Sequence, residues 1–215
     1  MDRDMNMRRL AGGCGIAGPL LLVAYFAAPA LFDWPYAGST PEHLVAYSSA
    51  HQSLFYAGAW LQSTGTLLCV VFFLSLVRLA GASARMAGML TMVASAVLLA
   101  VVLVEGAFLI AVPVAASAGD LTAVSTTFEL SNGVFLRVFP LAPATATYAA
   151  LGLVVLGSGV LHRGFAYTAI GLAAAFELAG IAAIVSSGAL IVLAALSAAQ
   201  ALWIAAAAVS TWRRT

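Results

Sequence analysis

The sequence predicts an all-α integral membrane bundle of six transmembrane helices, and three observations carry that prediction. Of the 215 residues, 63% are apolar and only 8% are charged, whereas a soluble domain carries roughly 25% charged residues. Six charge-poor stretches each supply the ~20 apolar residues that a hydrocarbon core of roughly 30 Å requires. The basic residues, nine arginines and no lysine, fall almost entirely at alternate junctions between those stretches. The whole of 1–215 therefore reads as a single transmembrane helical domain.

The first span is expected over 13–32, behind Arg3, Arg8 and Arg9. Its end, Ala28-Pro29-Ala30, also fits the small-residue pattern of a signal-peptide cleavage site, but the apolar stretch is long enough to span, so a retained helix is expected. The longest polar connection, 33–49, contains Trp34 and Tyr36, as an aromatic belt would. Within it, Thr40-Pro41-Glu42 has the pattern of an N-cap followed by proline at the first helical position, so a short outer interfacial helix should follow. Spans two and three are expected over 53–77 and 86–112, joined by a basic turn from Arg78 to Arg85. The stretch 121–132 is crowded with Ser, Thr, Glu and Asn. It reads as a helix at the interface or lining the bundle. Span four follows over 133–161 with a kink at Pro140 and Pro143, because proline removes a backbone donor and clashes with the preceding turn. Spans five (165–185) and six (190–212) form a hairpin about Ser186-Ser187-Gly188, and Arg213 and Arg214 close the chain.

Orientation follows from the arginines. With six spans, Arg3, Arg8, Arg9, Arg78, Arg85, Arg163, Arg213 and Arg214 all fall on one side, while Asp33, Glu42 and Asp120 fall on the other. The positive-inside rule then places both termini in the cytoplasm, with the chain a multi-pass protein of the plasma membrane.

The ninth arginine, Arg137, breaks this pattern, for it lies in the outer part of span four. Glu105 and Glu177 lie in spans three and five, and Glu129 precedes Arg137 by two helical turns with Gly133 between them. Ionisable residues within spans are costly, tend to face the bundle interior, and are candidate functional residues. At a rise of about 1.5 Å per residue, Glu177 is roughly 21 Å from the cytoplasmic arginines and Glu105 roughly 30 Å; Gln200 and Gln62 come out near roughly 20 and 24 Å. Thr66 shares a helical face with Gln62. These depths converge between the midplane and the outer rim, so the expected ligand-binding set is Glu105, Glu129, Arg137, Glu177, Gln62 and Gln200, around a polar pocket open to the outside. Arg137 is expected to pair with Glu105 or Glu129. A purely structural role for the buried charges is the competing reading.

Several classes of chemistry are excluded. A net charge of +1 leaves no basic field for nucleic acid. Cys14 and Cys69 lie in apolar segments without the spaced partners of a metal site, and His43, His51 and Glu42 lack a metal-binding spacing. With no phosphate-cradling loop or nucleophile elbow, no cofactor is expected. Acid–base isomerisation or cyclisation of a lipidic substrate stays open, with Glu105 and Glu177 as its candidate catalytic residues.

The segments Gly15-Ile16-Ala17-Gly18-Pro19, Pro41-Glu42-His43-Leu44-Val45-Ala46-Tyr47 with His51, and Gly58-Ala59-Trp60-Leu61-Gln62 resemble a family of small bacterial membrane proteins, frequent in actinobacteria and defined only as a domain of unknown function. The resemblance covers about the first 80 residues. It implies a six-span bundle and supplies no activity. The expected function is binding of an amphiphilic or lipidic small molecule in the polar pocket, as a transporter-like or sensory component, with membrane lipids as the surrounding partners. The alternatives are the isomerase or cyclase, and a structural partner subunit of a membrane complex.

Overall fold

The computed structural model describes residues 2–36, 38–186 and 188–213. Ser187 and Arg214, assigned above to a turn and to the basic end, lie outside the described residues, as does the side chain of Arg3. The described residues are helical with no strand: α1 Asp2–Leu31, α2 Pro41–Ala50, α3 Gln52–Leu79, α4 Met86–Ser117, α5 Leu121–Gly133, α6 Thr145–Ser158, α7 Arg163–Val185 and α8 Ala189–Trp212. Two π-helical segments, Val134–Val138 and Pro140–Ala144, join α5 to α6. Six helical stretches are long and apolar enough to cross a membrane, consistent with a multi-pass integral membrane protein.

Three boundaries differ from the sequence reading. The first helix begins at Asp2 rather than near 13. The third continues through Pro113 to Ser117; the ring costs one hydrogen bond to the carbonyl a turn earlier, and only the last turn follows it. The polar stretch from 121 is continuous with span four, which runs from Leu121 to Ser158. The kink expected at Pro140 and Pro143 takes the form of the π segments. Without an N–H on Pro143, the Phe139 carbonyl accepts instead from the Ala144 N–H at 3.1 Å, one residue further on. The Thr145 hydroxyl then donates to the Pro140 carbonyl at 2.9 Å and lies 3.2 Å from the Ala173 carbonyl of α7, fastening the widened turn to its neighbour.

The spans pack in a closed ring that follows chain order: α1 on α3, α3 on α4, α4 on α6, α6 on α7, α7 on α8 and α8 back on α1. Inside it, Phe72, Phe73, Tyr148, Phe176 and Ile204 are almost fully buried. Trp203 is also buried, and its indole N–H reaches the Phe165 carbonyl and the Thr168 hydroxyl at 3.0 Å each, which is what a tryptophan away from an interface needs. Thr40 caps α2 by accepting from the His43 N–H at 3.3 Å, with Pro41 opening the helix. From α2 the Tyr47 hydroxyl donates to the Phe32 carbonyl at 2.6 Å. Its ring lies between Trp34, His51 and Phe55. Burial, and secondarily the charge of Asp33, push the pKa of this phenol above the ordinary tyrosine value.

A close crossing joins α1 to α3. A Cβ placed on Gly18 would lie 2.8 Å from the Gly65 carbonyl oxygen, and one on Gly65 would lie 3.0 Å from that of Gly18. Small residues at such crossings let backbones approach and gain dispersion contacts that lipid cannot supply. Gly18→Ala should therefore destabilise the bundle by about 1–3 kcal/mol through overpacking. Gly13→Ala, whose added carbon meets nothing within 4 Å, should be neutral or stabilising by about 0.5–1 kcal/mol. Unfolding in detergent micelles reads both; equal effects would contradict the close crossing.

Candidate functional site

The ring encloses a chamber of about 30 Å³, lined from five of the six spans and not from α7. From α3 come Gln62, Thr66, Cys69 and Phe73, which share a face because their spacings of four, three and four residues follow the helical repeat. Leu98, Val102 and Glu105 repeat the same spacing on α4. Leu22 and Phe26 of α1, Phe135, Phe139 and Tyr148 of the fourth span, and Gln200 and Ile204 of α8 complete the wall. Space of this size admits one or two water-sized groups.

Glu105 is the centre of the site. Its side chain is 3% exposed. One carboxylate oxygen accepts from the Gln62 amide at 2.6 Å and the other from the Tyr25 hydroxyl at 3.4 Å, a long contact. The next residue explains how α3 comes so near: Gly106 brings α4 close to α3, and a Cβ there would sit 3.3 Å from Ser63 Oγ. The Gln62 carbonyl oxygen is buried without a partner. The side chains of Thr66 and Gln200, residues that are 4% and 7% exposed, face the same space and make no hydrogen bond to another described residue. Buried polar atoms in native proteins are nearly always satisfied, so this wall presents open hydrogen-bonding capacity inside a membrane-type bundle.

Of the six residues expected to bind a ligand, the structure brings together Glu105, Gln62 and Gln200. The other three lie elsewhere. Glu129 is exposed on α5, and its carboxylate accepts from the Gly38 N–H at 3.0 Å, pinning the α1–α2 connection. Arg137 is exposed on the first π segment and, among the described residues, pairs with neither Glu105, which accepts from Tyr25 and Gln62, nor Glu129, which accepts from Gly38. The stripe joining Glu129 to Arg137 assumed an unbroken α-helix, and the π turn that begins at Val134 breaks it. Glu177 is half-buried on α7 and does not reach the chamber, so the two candidate catalytic carboxylates, Glu105 and Glu177, do not share a cavity. Tyr25 and Tyr148 were missed. Aromatic residues in apolar spans signal packing as readily as function, and only the ring closure shows which face the interior. Among the described residues, no three His, Cys, Asp or Glu side chains are grouped to hold a metal ion.

No family model, curated protein or solved structure matches the chain. The functional reading therefore rests on the chamber itself.

The chamber contains its own reporter. Cys69 is 2% exposed in its wall, whereas Cys14 is half-buried and outside it. In a Cys14→Ala background, Gln200→Ala should speed labelling of Cys69 by a small uncharged maleimide several-fold, while Glu177→Ala should leave the rate unchanged. Equal rates in both variants would mean that Gln200 does not bound the space around Cys69.

Proposed function

We propose that this chain is a membrane-embedded binding protein that receives the polar end of an amphiphilic or lipidic small molecule in the Glu105 chamber. The observation that carries this reading is the coincidence, in one chamber lined by five spans, of a buried carboxylate, a Gln62 carbonyl oxygen without a partner, and the polar side chains of Thr66 and Gln200. Intramembrane ionisable residues that face a cavity commonly mark substrate or ion pathways. The site lies on the outer side of the middle of α4, twelve residues from its end at Ser117 and nineteen from its start at Met86, which supports access from the side opposite the termini. The arginines at the starts of α4 and α7 and at the ends of α3 and α8 support a cytoplasmic location for the termini. The short helix α2 then lies at the outer interface. An isomerase or cyclase loses ground, because its second carboxylate is absent from the chamber.

The test is native mass spectrometry of the gently solubilised protein, with extraction of what co-purifies. A retained amphiphile should fall in occupancy at least ~10-fold, or about 1.4 kcal/mol, in Glu105→Gln and in Gln62→Leu, and should persist in Arg137→Ala. Retention unchanged in the first two variants would overturn the proposal, and an empty protein that merely loses stability in them would assign the charge a structural role.

A further inference from the structure

The chamber's chemistry selects among amphiphiles. We propose that the group it takes is cationic, the primary ammonium of a hydrophobic amine; this rests on the binding function proposed above and narrows it to one ligand class. Charge comes first. Glu105 lines the chamber and, among the described residues, no arginine or histidine does. Its two hydrogen bonds come from neutral donors, Gln62 and Tyr25. A buried carboxylate is costly unless paired, and the protein supplies no cation there. A positive ligand group completes the pair, whereas a carboxylate, phosphate or sulfate head would be repelled.

The hydrogen-bonding groups of the wall can receive such a cation. Gln62 spends an amide N–H on Glu105, and the atom left over is its carbonyl oxygen, an acceptor with no partner. The Thr66 hydroxyl and the Gln200 amide, each able to accept as well as to donate, also line the wall. An ammonium offers three donors and no acceptor, and each of these side chains has an oxygen that can accept from it. Size agrees too: about 30 Å³ fits a water-sized –NH₃⁺ and leaves a bulkier head group outside. The aromatic residues Phe139 and Tyr148 also line the wall, where a cation over a ring face would gain a quadrupole interaction, and the apolar remainder of the wall accepts the start of an alkyl chain. A bare inorganic cation would find the oxygens but leave the aromatic and apolar wall unused.

The test uses butylammonium chloride, with butanol, sodium butyrate and potassium chloride as matched probes, on the full-length protein in neutral detergent. The melting temperature is followed as each probe is titrated, because a ligand that binds the native state raises it with concentration. Butylammonium should raise it in the wild type and in Glu177→Gln, and not in Glu105→Gln. The exchange variant Gln62→Glu with Glu105→Gln, which moves the carboxylate across to α3 within the same wall, should recover the response. That recovery separates binding from a merely structural need for Glu105. A rise of equal size with butanol or butyrate would overturn the cationic assignment while leaving amphiphile binding intact. An equal rise with potassium chloride would replace the amine with an inorganic cation. No rise with any probe, together with an empty wild-type protein in native mass spectrometry, would remove both the ligand class and the binding function.

Discussion

The hydrogen bond between Gln62 on α3 and Glu105 on α4 is the constraint on which the rest of the structure depends. It joins two neighbouring spans through a carboxylate removed from solvent. Breaking it would leave an uncompensated buried polar group, at a cost of about 1–3 kcal/mol or more. That penalty fixes the rotation of both helices. With Gln62 turned toward α4, Gly65 faces Gly18 of α1 and permits a close backbone crossing there. With Glu105 turned inward, Gly106 lies against Ser63 and Ala59, and Leu98 and Val102 fall on the chamber wall. One polar contact thereby sets the register of three spans, and close packing of glycine and alanine surfaces maintains it.

The fourth span closes the ring by a different device. Prolines at 140 and 143 cannot donate to the preceding turn, and the chain responds with two widened turns rather than a simple bend. The hydrogen bonds of Thr145 to Pro140 and Ala173 hold those turns, and Gly180 on α7 leaves room for Leu141, 2.9 Å from where a Cβ would be. The distortion places Phe135 and Phe139, rings nearly parallel with centroids 5.8 Å apart, against the chamber, while Phe139 also meets Phe176 of α7 edge-on. Departures from α-helical geometry of this kind are frequent at functional sites, and here the departure adjoins the buried carboxylate.

Much of this was legible in the sequence, for identifiable reasons. Six apolar stretches, with arginines at alternate junctions between them, define the spans, because a bilayer core has a fixed thickness and charged residues resist entering it. Glu105, Gln62 and Gln200 stood out because polar side chains are conspicuous in such stretches, and the helical rise placed all three in the same broad layer. Arg137 and Glu129 were misplaced because their shared stripe presumed 3.6 residues per turn throughout. An extra residue in a π turn moves each later side chain by roughly 100° around the axis, and Arg137 sits within such a turn. Glu177 is a failure of another kind: the helical rise put it at a depth near the others, but depth says nothing about which way a side chain faces. Tyr25 joined the site only once α1 was seen to pack beside α3.

The most direct test of the central interaction is a double-mutant cycle on Gln62 and Glu105, with unfolding free energy measured in mixed micelles for the wild type, Gln62→Leu, Glu105→Leu and the pair. The two residues should couple by about 1–3 kcal/mol, with the double variant less damaged than the sum of the single ones, since it leaves no polar group stranded. Additivity within about 0.5 kcal/mol would mean that the two side chains act independently and that the register of α3 against α4 has another origin.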